Sequence, residues 1–192
     1  MKKNLLLLCA TLFATTLSAQ EHYSRPIAVE MGTGLTFGAS KLCCSGLENT
    51  AVGGTWFVEA RYNFNQIPVD VGFHTGATVF GRTISAFSSK AIFLSGNFMA
   101  VADYNFRLRN PACVVFTGLG AGMAAFRHSA QTTYYSDGSY SDLGQSVSVC
   151  LMPRAGIELW QRLRLTLSYL IEEPANSHLS LTVGIVIGCG RK

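Results

Sequence analysis

Charge is scarce in this chain. Asp, Glu, Lys and Arg make up 14% of its 192 residues, against about 25% in ordinary soluble domains. Proline and tryptophan are few, at five and two. Long apolar runs are missing as well. The nearest after the N-terminus, Ala112 to Phe126, holds three glycines and falls short of the roughly 20 residues that a membrane helix needs. The cysteines fit neither a zinc-site spacing nor a recognisable disulfide framework. Gly118, Gly120 and Gly122 miss the G-x-G-x-x-G spacing, and no helical pattern follows them. These gaps argue against an ordinary soluble domain, a helical membrane protein, a structural zinc module and a dinucleotide-binding fold.

What is present starts with an export signal. Met1-Lys2-Lys3 is basic, Leu5 to Ala14 is apolar, and Thr15 to Ala19 are mostly small or polar. That is the plan of a secretory signal peptide spanning residues 1–19, with a mature domain over residues 20–192. A signal anchor is the alternative, but the apolar run is short for a spanning helix. Removing Lys2 and Lys3 takes the formal charge from +4 to about +2, too weak to suggest nucleic acid. Cys9 leaves with the signal. Cys43, Cys44, Cys113, Cys150 and Cys189 remain, an odd number with no assignable pairing. Cys150 and Cys189 read as small apolar residues.

The dominant pattern is alternation with period two, the mark of a strand with two different faces. Ile27, Val29, Met31, Leu35 and Phe37 oppose Glu30, Gly32, Gly34 and Thr36. Trp56, Val58, Ala60, Tyr62 and Phe64 oppose Phe57, Glu59, Arg61 and Asn63. Val69, Val71, Phe73 and Val79 oppose Asp70, Gly72, His74 and Gly76. The same holds from Ile92 to Phe106, from Ser146 to Trp160, from Leu163 to Ile171 and from Leu179 to Gly188. Only Ala112 to Phe126 is ambiguous, because glycines alternate with Leu119, Ala121 and Met123. That makes eight candidate strands. In the seven clear ones every charge falls on the polar face.

A soluble sandwich or a lipocalin also alternates, so the connections must decide. Asn65-Gln66, Arg107 to Pro111 and Gln161-Arg162 are short links, each preceded by Phe64, Phe106 or Trp160. Ala39 to Thr50, Arg82 to Lys90 and Tyr134 to Gly144 are longer and polar; the connection around Pro174 to Ser177 is short. Short turns with an aromatic girdle at one end and long loops at the other describe an outer-membrane barrel. The expectation is an all-β, eight-stranded, antiparallel, up-and-down transmembrane barrel. Closure is its physical logic, because a bare sheet edge in hydrocarbon costs several kcal/mol for each unpaired N–H or C=O. Pro153 falls inside a strand and must forfeit a ladder bond; a local bend with unchanged phase is expected there.

With these strands in place, the chain resembles the OmpA/OmpX-type barrels. More narrowly it is similar to the Bacteroidetes "outer membrane protein β-barrel domain" proteins. The likeness covers Ile27 to Lys192. It is strongest in Met152-Pro153-Arg154-Ala155-Gly156-Ile157-Glu158-Leu159, in Arg162-Leu163-Arg164-Leu165, in Leu181-Thr182-Val183-Gly184-Ile185 and in the Gly188-Cys189-Gly190-Arg191-Lys192 tail. The resemblance implies an outer-membrane location and brings no catalytic residue. The partners expected are outer-membrane lipid and lipopolysaccharide, the export and barrel-assembly machinery, and an extracellular ligand reached through the long loops.

The sequence pattern singles out no catalytic, cofactor-binding or metal-binding residue. Glu30, Glu59, Arg61, Asp70, His74, Asp103, Arg154, Glu158 and Arg164 share the polar face. Carboxylates beside a histidine can form an acid–base site. Mixed acids and bases inside a barrel too narrow for more than side chains read better as a neutralising network. His128 and Ser129 invite comparison with lipid A-trimming barrels, but adjacent residues on a strand point to opposite sides. Tyr134, Tyr135 and Tyr140 are loop aromatics that can serve as a contact surface. The expected role is structural or surface-interacting, with a side-chain-filled interior. A narrow solute channel is the alternative, and a lipid-modifying enzyme is the less favoured one.

Overall fold

The computed structural model describes residues 23–38, 52–64, 67–84, 89–107, 113–131, 140–172, 177–188 and 190–191. The signal at residues 1–19 lies outside them, as do Cys43, Cys44, Cys189, Tyr134 and Tyr135. The strands are β1 (Tyr23–Arg25), β2 (Ile27–Gly38), β3 (Val52–Asn63), β4 (Val69–Ile84), β5 (Ser89–Arg107), β6 (Cys113–Gln131), β7 (Tyr140–Leu159), β8 (Leu163–Leu170), β9 (His178–Ile187) and β10 (Gly190–Arg191). Strands β2 to β9 form a closed antiparallel barrel in chain order, and β1 pairs with β10 as a separate ribbon. The eight barrel strands are those the alternation predicts. The ambiguous segment is β6, with Leu119, Ala121 and Met123 outward and Gly118, Gly120 and Gly122 inward.

Register sets the barrel's shape. From Ile27 the pairing runs to Tyr62, Val71, Ala102, Leu119 and Pro153; on the far side Tyr169 pairs with Leu179 and Leu179 with Phe37. The circuit returns to β2 ten residues above its start, between Ile27 and Phe37. For eight strands that shear gives a tilt of roughly 40°. Each residue then rises about 2.5 Å along the axis, so the shear spans about 25 Å, the height of a barrel's apolar band. The outward side chains in that band are mostly Leu, Ile, Val, Met and aromatic residues, with alanines and threonines among them, from Ile27 and Tyr62 up to Leu35 and Val79. At the short-turn end Tyr62 packs edge-to-face on Phe64, Tyr104 does so on Phe106, and Trp160 stands outward.

Pro153 acts as expected on register. The β7–β8 ladder runs from Leu159↔Leu163 to Arg154↔Ser168 and resumes at Leu151↔Ile171 in the same register. Leu151 and Ile171 exchange both backbone bonds. By alternation Pro153 would donate to Tyr169, and it has no N–H to give. The ladder is interrupted there without slipping.

Two differences from the sequence reading concern the ends. The segment Arg82 to Lys90 is mostly ladder: β4 and β5 stay paired to Ile84↔Ser89. Likewise β7 begins at Tyr140, inside the expected loop Tyr134 to Gly144. Backbone pairing above the apolar band needs no greasy face, so alternation fades before the strands stop. Strands β4 to β7 therefore rise past their neighbours on one side of the barrel.

The β7–β8 turn holds Trp160 and Gln161 at φ 51° and 57°, with Arg162 N–H bonded to the Leu159 carbonyl at 3.0 Å. This is a type I′ geometry, which favours Asn-Gly. Replacing Gln161 with Gly should raise stability by about 0.5–1 kcal/mol. Urea unfolding in lipid vesicles is the check, and an unchanged midpoint would mean the turn is not strained.

Candidate functional site

The barrel interior gathers seven charged side chains into one connected cluster. Glu59 and Arg61 come from β3, Glu30 from β2, Asp103 from β5, Arg154 and Glu158 from β7 and Arg164 from β8. All seven are buried, Arg164 and Glu59 to 1% exposure. They face inward because each sits out of phase with its strand's outward belt residues, and they meet because the shear brings distant strands to one level.

Arg154 is the hub. Its Nη1 and Nη2 donate to Glu59 Oε2 and Oε1 at 2.5 and 2.9 Å, and its Nε and Nη2 donate to Asp103 Oδ1 and Oδ2, each at 2.8 Å. Two forked pairs on one guanidinium match its planar donor geometry. Arg164 bonds to Asp103 Oδ2 and lies 3.8 Å from Glu30 and 3.9 Å from Glu158. Its guanidinium also sits 3.5 Å from the centroid of the Phe116 ring, a cation–π contact in a dry setting. Arg61 bonds Glu30 at 3.0 Å and approaches Glu59 at 3.3 Å. His74 Nδ1 lies 2.9 Å from Glu59 Oε2, and its ring stacks on Phe57 at 5.3 Å.

The structure thus brings eight of the nine polar-face residues together. Asp70 stands apart, accepting from Asn105 Nδ2 at 2.7 Å. The backbone around His128 and Ser129 belongs to β6, where the β6–β7 register shifts between Arg127 and Ser129; their side chains lie outside the described set, as does that of Tyr140. No group of His, Cys, Asp and Glu suited to a metal ion occurs among the described residues.

Toward the long-loop end the interior is lined mainly by hydroxyl side chains. Thr78 Oγ1 donates to Thr55 Oγ1 at 2.9 Å, and Thr36 and Ser180 hydroxyls pair at 3.0 Å. Ser95 donates to Glu172 at 2.9 Å, which ties β5 to the end of β8 across the barrel. A cavity of about 30 Å³ separates this tier from the ions, bordered by Glu59, Arg154, His74 and Thr182. It has room for one or two waters. Met99, Val101, Ala124, Cys150, Met152 and Leu170 form an apolar cluster on the same inner surface. Cys150 is therefore the small apolar residue that the sequence suggests.

Sequence reading missed the glycines' part. A Cβ on Gly118 would run into the Asp103 carboxylate, one on Gly184 into Glu30, and one on Gly156 would stand 2.7 Å from the Phe116 ring that Arg164 covers. These glycines leave the room that the network fills. Gly118 and Gly184 lie on β6 and β9, which carry none of the seven clustered charges, so no single strand's pattern marks their role.

Comparison with known proteins agrees with the architecture. No family model and no curated protein matches the chain. Among solved structures, Neisserial surface protein A shares a TM-score of 0.51 and 19% identity over 88% of this chain and 99% of its own. The attachment invasion locus protein Ail of Yersinia pestis gives 0.47 and 15%, over 84% and 97%. The outer membrane enzyme PagL gives 0.44 and 13%, over 82% and 98%. The likeness is one of fold. This chain is an eight-stranded antiparallel transmembrane β-barrel.

Proposed function

We propose that this protein is an outer-membrane barrel with a sealed interior, which serves the envelope structurally and presents its long-loop end to extracellular partners. The ion network carries the reading. Three guanidiniums and four carboxylates from five strands are bonded across the cross-section, and eight strands leave little lumen beyond their own side chains. Strands β4 to β7 extend past the apolar band, so the surface on offer is a ladder as well as loops. In this reading the signal at residues 1–19 is cleaved and both chain ends lie in the periplasm. Lipopolysaccharide surrounds the outer half of the belt, the export and barrel-assembly machinery delivers the chain, and no reaction is catalysed. The narrower kinship with the Bacteroidetes barrel proteins belongs to the same reading and rests on the β7–β9 motifs.

Planar-bilayer recording tests the seal. Wild-type protein should show no steady, large single-channel current. A stable open level would contradict the reading in favour of a solute channel. Lipid A mass profiles with and without the protein should be identical, and a lost acyl chain would assign an enzyme instead.

A further inference from the structure

The outward face of the barrel is not uniformly convex. Across β3, β5 and β6, four exposed alanines replace the large residues found elsewhere on the belt: Ala60, Ala100, Ala102 and Ala121. The register makes them neighbours, since Ala100 pairs with Ala121 and both Ala60 and Ala100 pair with Phe73. Phe73 stacks on Phe98 at 5.9 Å and 11°, so its ring leans toward the long-loop end and stands as one wall. Leu119 forms another, and Tyr62 closes the lower end. The result is a concavity of about 700 Å³ whose outward lining is apolar apart from the Tyr62 hydroxyl.

We infer that this groove holds a single acyl chain of a phospholipid from the leaflet at the short-turn end. Depth is the argument. Tyr62 belongs to the aromatic girdle, where headgroups meet hydrocarbon. From that level the alanine floor climbs obliquely, and Ala121 lies roughly 18 Å above Ile27 by the tilt and rise of the strands. Tyr62 itself stands roughly 3 Å above Ile27, and half of a roughly 25 Å apolar band is about 12.5 Å. The groove therefore begins at a headgroup level and ends near the bilayer midplane, which is the path of one chain in one leaflet. Lipid from the opposite leaflet would reach it tail-end first and meet it only at its upper end. A seated chain exchanges the mobile packing of bulk lipid for contact on three sides, and dispersion contacts add up over such a length.

Native mass spectrometry of the barrel released from palmitoyl-oleoyl phosphatidylglycerol vesicles tests this site. Wild-type protein should retain one lipid. The double variant Ala100→Phe/Ala102→Phe fills the floor without touching the interior and should cut retention roughly fivefold or more, in keeping with the apolar contact removed. Val183→Phe adds the same bulk elsewhere on the belt and should change nothing. Lyso-phosphatidylglycerol, with one chain, should compete as well as the two-chain lipid. Equal retention by the double variant, or equal loss in Val183→Phe, would overturn the assignment. Heat-modifiable migration on gels confirms folding of each variant; should the double variant misfold, Ala121→Phe alone is read against the same control. An open channel in bilayer recordings would sink the sealed-barrel reading and leave this site standing.

Discussion

Arg154→Met is expected to lower the unfolding free energy by about 3–5 kcal/mol, since it strips the counter-charge from two buried carboxylates. Arg154 makes forked contacts to both Glu59 and Asp103. Without it, Glu59 keeps Arg61 at 3.3 Å and His74 at 2.9 Å, while Asp103 keeps Arg164. Those remaining partners soften the loss but do not replace two bidentate pairs. Adding Glu59→Gln and Asp103→Asn to Arg154→Met should recover at least half of the deficit, because a neutral cluster no longer leaves ions unpaired. Urea unfolding in vesicles measures both. A single-variant cost below about 1 kcal/mol would mean that the interior is wet enough to solvate the carboxylates, and the sealed cross-section would fall with it.

Gly118→Ala should cost about 2–4 kcal/mol, a large effect for one methyl group. The added Cβ meets the Asp103 carboxylate and the Ala102 carbonyl oxygen. Backbone in a closed ladder gives little, so the carboxylate must swing away and lose its pairs to Arg154 and Arg164. Overpacking and broken ion pairs then add together. Gly81→Ala is the matched control: nothing lies within 4 Å of a Cβ there, and the change should stay within about 0.5 kcal/mol. Equal effects at the two positions would show that Gly118 matters through chain entropy rather than through the room it leaves.

Much of this architecture is legible in single-strand patterns. Alternation sorts Trp56 from Glu59 and Val183 from Thr182 with no knowledge of a partner strand, because period two fixes the face. It does not fix register. That Arg154 on β7 meets Glu59 on β3 follows from the ten-residue shear, a property of closure that no one strand contains. Gly118 and Gly184 are unreadable for the same reason: what they make room for arrives from β5 and β2. The upper ends of β4, β5 and β7 read as loop in the sequence, since their pattern fades where no lipid enforces it. Glu172 sat beside a turn in the sequence, and only the fold carries it across to Ser95. The inward apolar residues Met99, Val101 and Met152 lie in phase with the charges, so the polar face was legible as a face but not as a mixture.

The central claim is that the belt meets hydrocarbon while the ionisable groups turn inward to one another. Nitroxide labels at Leu165, Val183 and Ala100 in a cysteine-free background, with the barrel in phospholipid vesicles, test it most directly. The account predicts strong relaxation by oxygen and almost none by a water-soluble nickel complex at all three positions. Ready access by the nickel complex at these sites would place water where the belt should face lipid, and would contradict it.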